Sequence, residues 1–360
     1  MPAGPRADVV AKGEVGVYHC WNRCVQRAFL CGADPLTGRD YEYRREWIQQ
    51  TEQLLARLFA VEVAFHAELS NHIHVIVRTR PDVAGSWSDE DVVKRWLGIT
   101  KLKRNGADSL VEPTQEEIRC EQQKPNRLAE LRRRLADVSW FLGTLCEAIS
   151  RRCNRDAGTS GAFWEHRFDC RSLADEAAIL VCGIYVDLNA IRAQEADTPE
   201  ESRHTSAYDR IQGFQQQQQQ QQQLAEHADA MCNTNSPRPD RWLCELTLQD
   251  TDEGLPSVVA SKSPWRASDK GILPLCLEKY LELLDWTGRQ VRSDKRGAIP
   301  DSLAPILDRL QIAREQWLDA ILYFDQWFGR IVGSCSAVSA AADRAGHAFR
   351  GARQCAQVFG

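Results

Sequence analysis

The chain lacks any long hydrophobic run. Its longest apolar stretch, "AAILVCGIYV" at 177–186, is about half of the ~20 residues that a membrane-spanning helix needs. The N-terminal "MPAGPRADVVAKGEVG" lacks the apolar centre of a secretory signal. No two cysteines stand in a CxxC spacing, which removes zinc ribbons and thioredoxin-type redox sites. The 13 cysteines are odd in number and scattered, a pattern expected of buried, reduced thiols in a cytoplasmic protein. An excess of positive charge is also missing. A net charge of −5 argues against a chain coated in nucleic acid, although a local basic surface is compatible with it. No internal repeat is visible.

What remains is an ordinary globular composition, 43% apolar and 26% charged over 360 residues. That length suits two domains, or one large domain with additions. Residues 15–31 read as a strand and its turn. "DYEYRREWIQQTEQLLARLFAV" (40–61) has helical spacing, with Trp47, Leu54, Leu55 and Leu58 on one stripe. "VEVAFHAE" alternates, with Val61, Val63, Phe65 and Ala67 on one face, and "LSN" turns the chain into a second strand. The order β-α-β-β opens a ferredoxin-like arrangement. Short helical pieces are expected over 80–125, with Ser88 as an N-cap. A basic-leaning helical stretch follows over 126–155, then a strand region at 160–173 and a helix at 174–193. The glutamine run Gln215–Gln223 and its polar flanks predict a linker over 211–240, and the patterns of 241–360 predict a separate helical accessory unit.

Two features bear chemistry. In "SNHIHVIV" (70–77), strand alternation sends His72 and His74 to one face and Ile73, Val75 and Val77 to the other. Two imidazoles side by side suit a divalent metal, and they equally suit a hydrogen-bonded, half-wet sheet face. In the helix 174–193, Leu180, Ile184, Leu188 and Ile191 form a core stripe. Beside it run Val181, Tyr185, Asn189 and Arg192, so Tyr185 and Asn189 project together one turn apart. Spacing alone favours Tyr185 as a core tyrosine at the domain edge and Asn189 as a residue near the helix end.

Together, "YHCWNR" (18–23), "SNHIHVIV" (70–77), "FWEHRF" (163–168) and "YVDLNAIRA" (185–193) make the chain resemble the HUH single-tyrosine transposases, most closely the REP-associated tyrosine transposase branch. The resemblance covers about residues 14–210 and nothing from the glutamine run onward. It implies an α+β, ferredoxin-like catalytic domain in which His72, His74 and Asn189 hold Mg²⁺ or Mn²⁺ and Tyr185 is the nucleophile. Ala190 stands where the family usually has proline after the asparagine. The activity implied is DNA transposition: attack on single-stranded or hairpin DNA, a 5′-phosphotyrosine intermediate, a released 3′-hydroxyl, and rejoining.

Arg167 and Arg171, placed by the pattern on the strand before the catalytic helix, are candidate phosphate contacts. So are Arg132, Arg133 and Arg134, which also fit a solvated charged face. Trp164 is a candidate base-stacking residue, with a core tryptophan as its more ordinary reading. Glu165 and His166 lie beside the site without an assigned role, and Tyr18 and His19 read as structural. Other readings stay open: a catalytically silent DNA-binding protein of the same fold, a metal phosphodiesterase using water, and an interaction protein. Sequence leaves open whether the active site is built within one chain or across a homodimer.

Overall fold

The computed structural model describes residues 8–25, 30–34, 38–105, 110–226, 237–248, 261, 263–292, 300, 302–346 and 348–360. The chain opens with β1 (Gly16–Arg23), α1 (Arg44–Leu58), β2 (Val61–Glu68) and β3 (His72–Thr79), the β-α-β-β order that the alternation and the helical stripe predict. Then come α2 (Pro81–Ser86), α3 (Asp89–Asn105), α4 (Gln115–Gln122), α5 (Arg127–Leu135) and α6 (Val138–Ala157). The Ser88 hydroxyl accepts from the Asp91 amide and so caps α3. The expected helical stretch over 126–155 is two helices. The Asp137 carboxylate accepts from the amides of Ser139 and Trp140, which starts α6 afresh.

β4 (Asp169–Leu173), α7 (Glu176–Asp187), α8 (Asn189–Arg192) and α9 (Ser206–Glu226) follow. The strand expected over 160–173 is thus confined to its last residues. Within 160–168, the pairing of Trp164 with Cys24 is a single bridge. Beyond residue 240 lie α10 (Leu277–Arg292), α11 (Ala304–Arg309), α12 (Trp317–Leu322), α13 (Phe324–Trp327), β5 (Ile331–Val332), α14 (Cys335–Ala345) and α15 (Ala352–Phe359).

The architecture is α+β, with a five-stranded sheet in the order β2-β3-β1-β4-β5. β1 runs antiparallel to both its neighbours. Trp21 lies opposite His74 on β3 and opposite Asp169 on β4, while His19 lies opposite Arg171. One face of the sheet therefore gathers His19, Trp21, Arg23, His72, His74, Asp169 and Arg171. Ile73, Val75 and Val77 lie on the other, as the alternation requires. A register shift between Val63 and Phe65 breaks the regular alternation expected in β2. Helix α7 packs over the histidine face, where the Tyr185 ring meets His74 edge-on with centroids 5.8 Å apart.

The expected linker and separate C-terminal unit need correction. Gln215–Gln223 continues α9 as helix, in keeping with the good helix propensity of glutamine; residues 227–236 of the expected linker lie outside the described residues. The segment after 240 joins the same core. β5 pairs in parallel with β4 through Ser172–Ile331 and Leu173–Val332. The Tyr280 hydroxyl donates to Asp187 at 2.6 Å. The physical reason lies in α7, which is buried over Ala177–Asp187. A helix apolar on every side needs cover on every side, and α12 packs against it.

The described cysteines are free thiols, all buried except Cys120, Cys276 and Cys335. Among the described residues no helix is long and apolar enough to cross a membrane.

Candidate active site

The histidine face of the sheet and the α7–α8 junction border an open cavity of about 560 Å³. His72, His74, Tyr185 and Asn189 all line it. β3 aims both imidazoles at this space because they are two residues apart on one strand. Their ring centroids are 4.9 Å apart. The Nδ1 of His74 meets His19 Nε2 at 2.9 Å, and the Nδ1 of His72 meets Asn71 Oδ1 at 2.5 Å. The tautomer in which each Nδ1 donates to its neighbour leaves each Nε2 its lone pair for a ligand. Such outer partners fix the tautomer and orientation of metal-binding histidines.

Both rings are held neutral. Burial, with help from Arg23, brings His72 down to about 4. Burial and then His19 depress His74 well below the ordinary histidine range, while burial and then Arg171 do the same to His19. Asn189 opens α8 one turn after Tyr185. Its side chain is buried and its Nδ2 has no hydrogen-bond partner, while its Oδ1, the atom a cation would take, accepts a long hydrogen bond from Arg192 at 3.4 Å. Two neutral imidazoles and a carboxamide oxygen released from that long contact form a donor set that fits a divalent cation.

Tyr185 is 3% exposed. Its ring stacks on Phe324 at 4.5 Å and lies under the Arg192 guanidinium at 4.6 Å. The hydroxyl donates to Asp325 Oδ2 at 2.6 Å. Burial and then the charge of Asp325 raise the phenol's pKa. Asp325 goes the other way. Although burial pushes its carboxyl up, Arg171 and the Tyr185 hydroxyl hold it below the ordinary carboxylate range. Arg171 donates to Asp325 Oδ1 at 3.0 Å and lies over Trp21 at 4.5 Å. Its Nε and Nη1 have no hydrogen-bond partners, a buried donor pair suited to an anion.

Thus the structure brings together His72, His74, Tyr185, Asn189 and Arg171. It does not bring the other candidates there. Arg167 is exposed in the bend before β4 and borders a different depression with Trp164. The Trp164 indole donates to the Cys146 carbonyl at 2.9 Å and packs against the core, a structural post. Arg132 pairs with Asp89 and Arg134 with Glu130 on α5, and neither they nor Arg133 line the cavity. Glu165 and His166 do line it.

Sequence reasoning missed several cavity residues, Asp325 and Arg23 among them, and read His19 as structural. His19 shares its strand parity with Trp21 and Arg23, a signal that was available. Asp325 comes from 140 residues beyond Tyr185 in sequence, and no local pattern marks it.

No family model matches the chain, and no curated protein matches it. Among solved structures, the chain is similar to one described as a REP-associated tyrosine transposase bound to a REP hairpin. The identity is 13%, over 57% of this chain and 82% of that chain, at a TM-score of 0.32, a likeness too slight to carry an argument about this chain.

Proposed function

We propose that the chain is a transposase-like DNA strand-transfer enzyme that cuts single-stranded or hairpin DNA with Tyr185 and a divalent metal. One observation carries this reading: the Tyr185 hydroxyl is bonded to an ionised carboxylate at 2.6 Å, in a cavity shared with two neutral imidazoles. The arginines Arg23, Arg171 and Arg192 line the same cavity and supply positive charge for a phosphodiester. In this reading the antiparallel strands of residues 14–210 are the ferredoxin-like platform of an HUH domain, working in the cytoplasm.

The chemistry follows from the groups present. A phenol of pKa about 10 is a weak nucleophile at neutral pH, and here burial weakens it further, so it needs a base. Asp325 is placed to take the proton as the phenol oxygen bonds to phosphorus. The bond from phosphorus to the 3′-oxygen breaks, and that oxygen leaves as a hydroxyl after taking a proton from water. Arg171, with two free donors, binds the non-bridging oxygens as their charge grows. His72, His74 and Asn189 would hold a Mg²⁺ or Mn²⁺ ion, which would supply charge screening and polarisation of the phosphate. Because the phosphotyrosine retains the phosphodiester's bond energy, an incoming 3′-hydroxyl reverses the step without ATP.

The test is incubation of the protein with labelled single-stranded DNA and Mg²⁺ or Mn²⁺, followed by a denaturing gel. The expected result is a covalent protein–DNA band that Tyr185→Phe abolishes while DNA binding survives. A catalytically silent DNA-binding protein is the second reading, favoured by the deep burial of Tyr185 under Phe324. It predicts binding without any covalent band. Cleavage that persists in Tyr185→Phe marks a water-using phosphodiesterase.

A further inference from the structure

On the sheet face opposite His72 and His74, β2 presents His66 and Glu68, which lie across from Val75 and Ile73. Helix α1 lays Glu52 over them. The three side chains have no solvent exposure. His66 Nδ1 is 2.9 Å from Glu68 Oε1 and 3.8 Å from Glu52 Oε2. One ligand atom from each residue lies within 4.8 Å of the other two. On the far side of the ring, His66 Nε2 faces Asp209 Oδ2 at 3.5 Å. Asp209 is itself fixed by Gln49 Nε2 at 2.8 Å and the Trp242 indole at 3.2 Å.

The cluster is unfinished as a hydrogen-bonded core. Both carboxylate oxygens of Glu52 and Oε2 of Glu68 are buried without a hydrogen-bond partner. Native cores rarely leave such atoms unmet, because each costs about 1–3 kcal/mol. Three buried carboxyl groups surround one imidazole. The neighbouring arginines bond elsewhere: Arg45 to the Glu68 backbone carbonyl and Glu195, Arg210 to the carbonyls of Ala64 and Cys244.

We propose that Glu52, His66 and Glu68 form a second, structural metal site that takes a divalent first-row transition ion such as Zn²⁺ or Mn²⁺. Metal–ligand bonds of about 2.1 Å in tetrahedral array set ligand atoms roughly 3.4 Å apart. The two separations from His66 Nδ1 bracket that value. An ion between the three residues meets one ligand atom of each at once, whereas a shared proton meets one contact. Asp209 Oδ2 lies 3.5 Å from the opposite ring nitrogen, which has no hydrogen bond as it stands, on the side where an outer partner orients a metal-binding histidine. An imidazole with two carboxylates selects a transition ion over Mg²⁺. The ion braces α1 against the end of β2, four residues before His72. The proposal stands whether or not Tyr185 cuts DNA.

The test uses tag-free full-length protein carrying His72→Ala and His74→Ala, which removes the candidate catalytic ligands. After loading with Zn²⁺ or Mn²⁺ and desalting, elemental analysis should find about one ion per chain. Chelation should lower the Tm, and Zn²⁺ or Mn²⁺, but not Mg²⁺, should restore it. Glu52→Gln keeps the shape and removes a charged ligand, so retention and restoration should both be lost. Failure of the loaded double variant to retain a transition ion, or retention by Glu52→Gln equal to its parent, overturns the site. Should Glu52→Gln not fold, X-ray absorption of the loaded double variant decides. One nitrogen ligand among oxygens supports the site, and a sphere without imidazole overturns it.

Discussion

At the scale of single residues, the decisive contact is the hydrogen bond from Tyr185 to Asp325. Asp325→Asn keeps the size of the side chain but removes its capacity as a base. Loss of a positioned general base costs typically 100- to 10,000-fold, so covalent band formation should slow by roughly that factor with DNA affinity little changed. A faster variant would mean that Asp325 restrains the tyrosine, and the assigned role would be wrong. The histidines give a second expectation. His19, His72 and His74 are held neutral in the fold, with His72 at about 4, whereas the unfolded chain takes up protons near pH 6.5. Their stabilising contribution is therefore complete above about pH 6.5 and is lost as the pH falls toward 4. His66 shifts upward instead: burial opposes the charge, but Glu68 and Asp209 outweigh it. Its contribution is already complete below pH 6.5 and stays flat in this window. Between pH 7 and pH 5 these rings pull the Tm of metal-free protein down while the raised carboxyls of Glu52 and Asp187 pull it up. The readout is therefore a difference: His72→Gln should lose less Tm on acidification than its parent. Strand parity made His72 and His74 legible in sequence. Asp325 was not legible, because a contact spanning 140 residues leaves no periodicity behind.

At the scale of elements, α7 carries the tyrosine, and its seating depends on a close approach at Gly183. A Cβ there would sit 2.8 Å from the Phe65 ring, and Phe65 is fully buried. Alanine gains up to about 1 kcal/mol in helix propensity, but overpacking a tight core costs about 1–3 kcal/mol. Gly183→Ala should destabilise the protein by roughly 1–2 kcal/mol in urea unfolding, and slow covalent band formation by displacing Tyr185, two residues on. Phe65→Leu in the same chain should recover part of both. If Gly183→Ala alone is neutral, α7 is less tightly seated than the contact implies. Local pattern gave the β2–β3 hairpin and the Ser88 cap because turn and cap chemistry act over a few residues. It missed the division of 126–155 because Asp137 interrupts an unbroken helical stripe. It also missed Glu52, which lies inside the buried stripe of α1 with Ile48 and Leu55. A carboxylate in that position, with His66 and Glu68 two apart on the next strand, was the available mark of a buried polar cluster.

At the scale of the whole molecule, the glutamine run reads as low-complexity linker because composition carries no information about what a segment packs against. The rest of the chain shows why the two sides of it act together. Arg78 on β3 pairs with Glu62 at 2.7 Å and donates to the carbonyls of Gly271 and Lys270 at 2.7 and 2.6 Å. Removing everything after residue 226 would strip that guanidinium of its carbonyl partners. It would also unpair Asp187 from Tyr280 and uncover α7 where α12 lies. Breaking a buried charged network typically costs 3–5 kcal/mol, and whole domains are stable by about 5–15 kcal/mol. The fragment 1–226 should therefore lack a cooperative unfolding transition and expose apolar surface to a hydrophobic dye. It should also form no covalent band, since Asp325 is gone. The full chain should unfold in one transition. A soluble 1–226 fragment that unfolds cooperatively and still links to DNA would restore the view of an independent catalytic domain with an accessory unit. It would also remove Asp325 from the reaction, because the two conclusions rest on the same C-terminal contact.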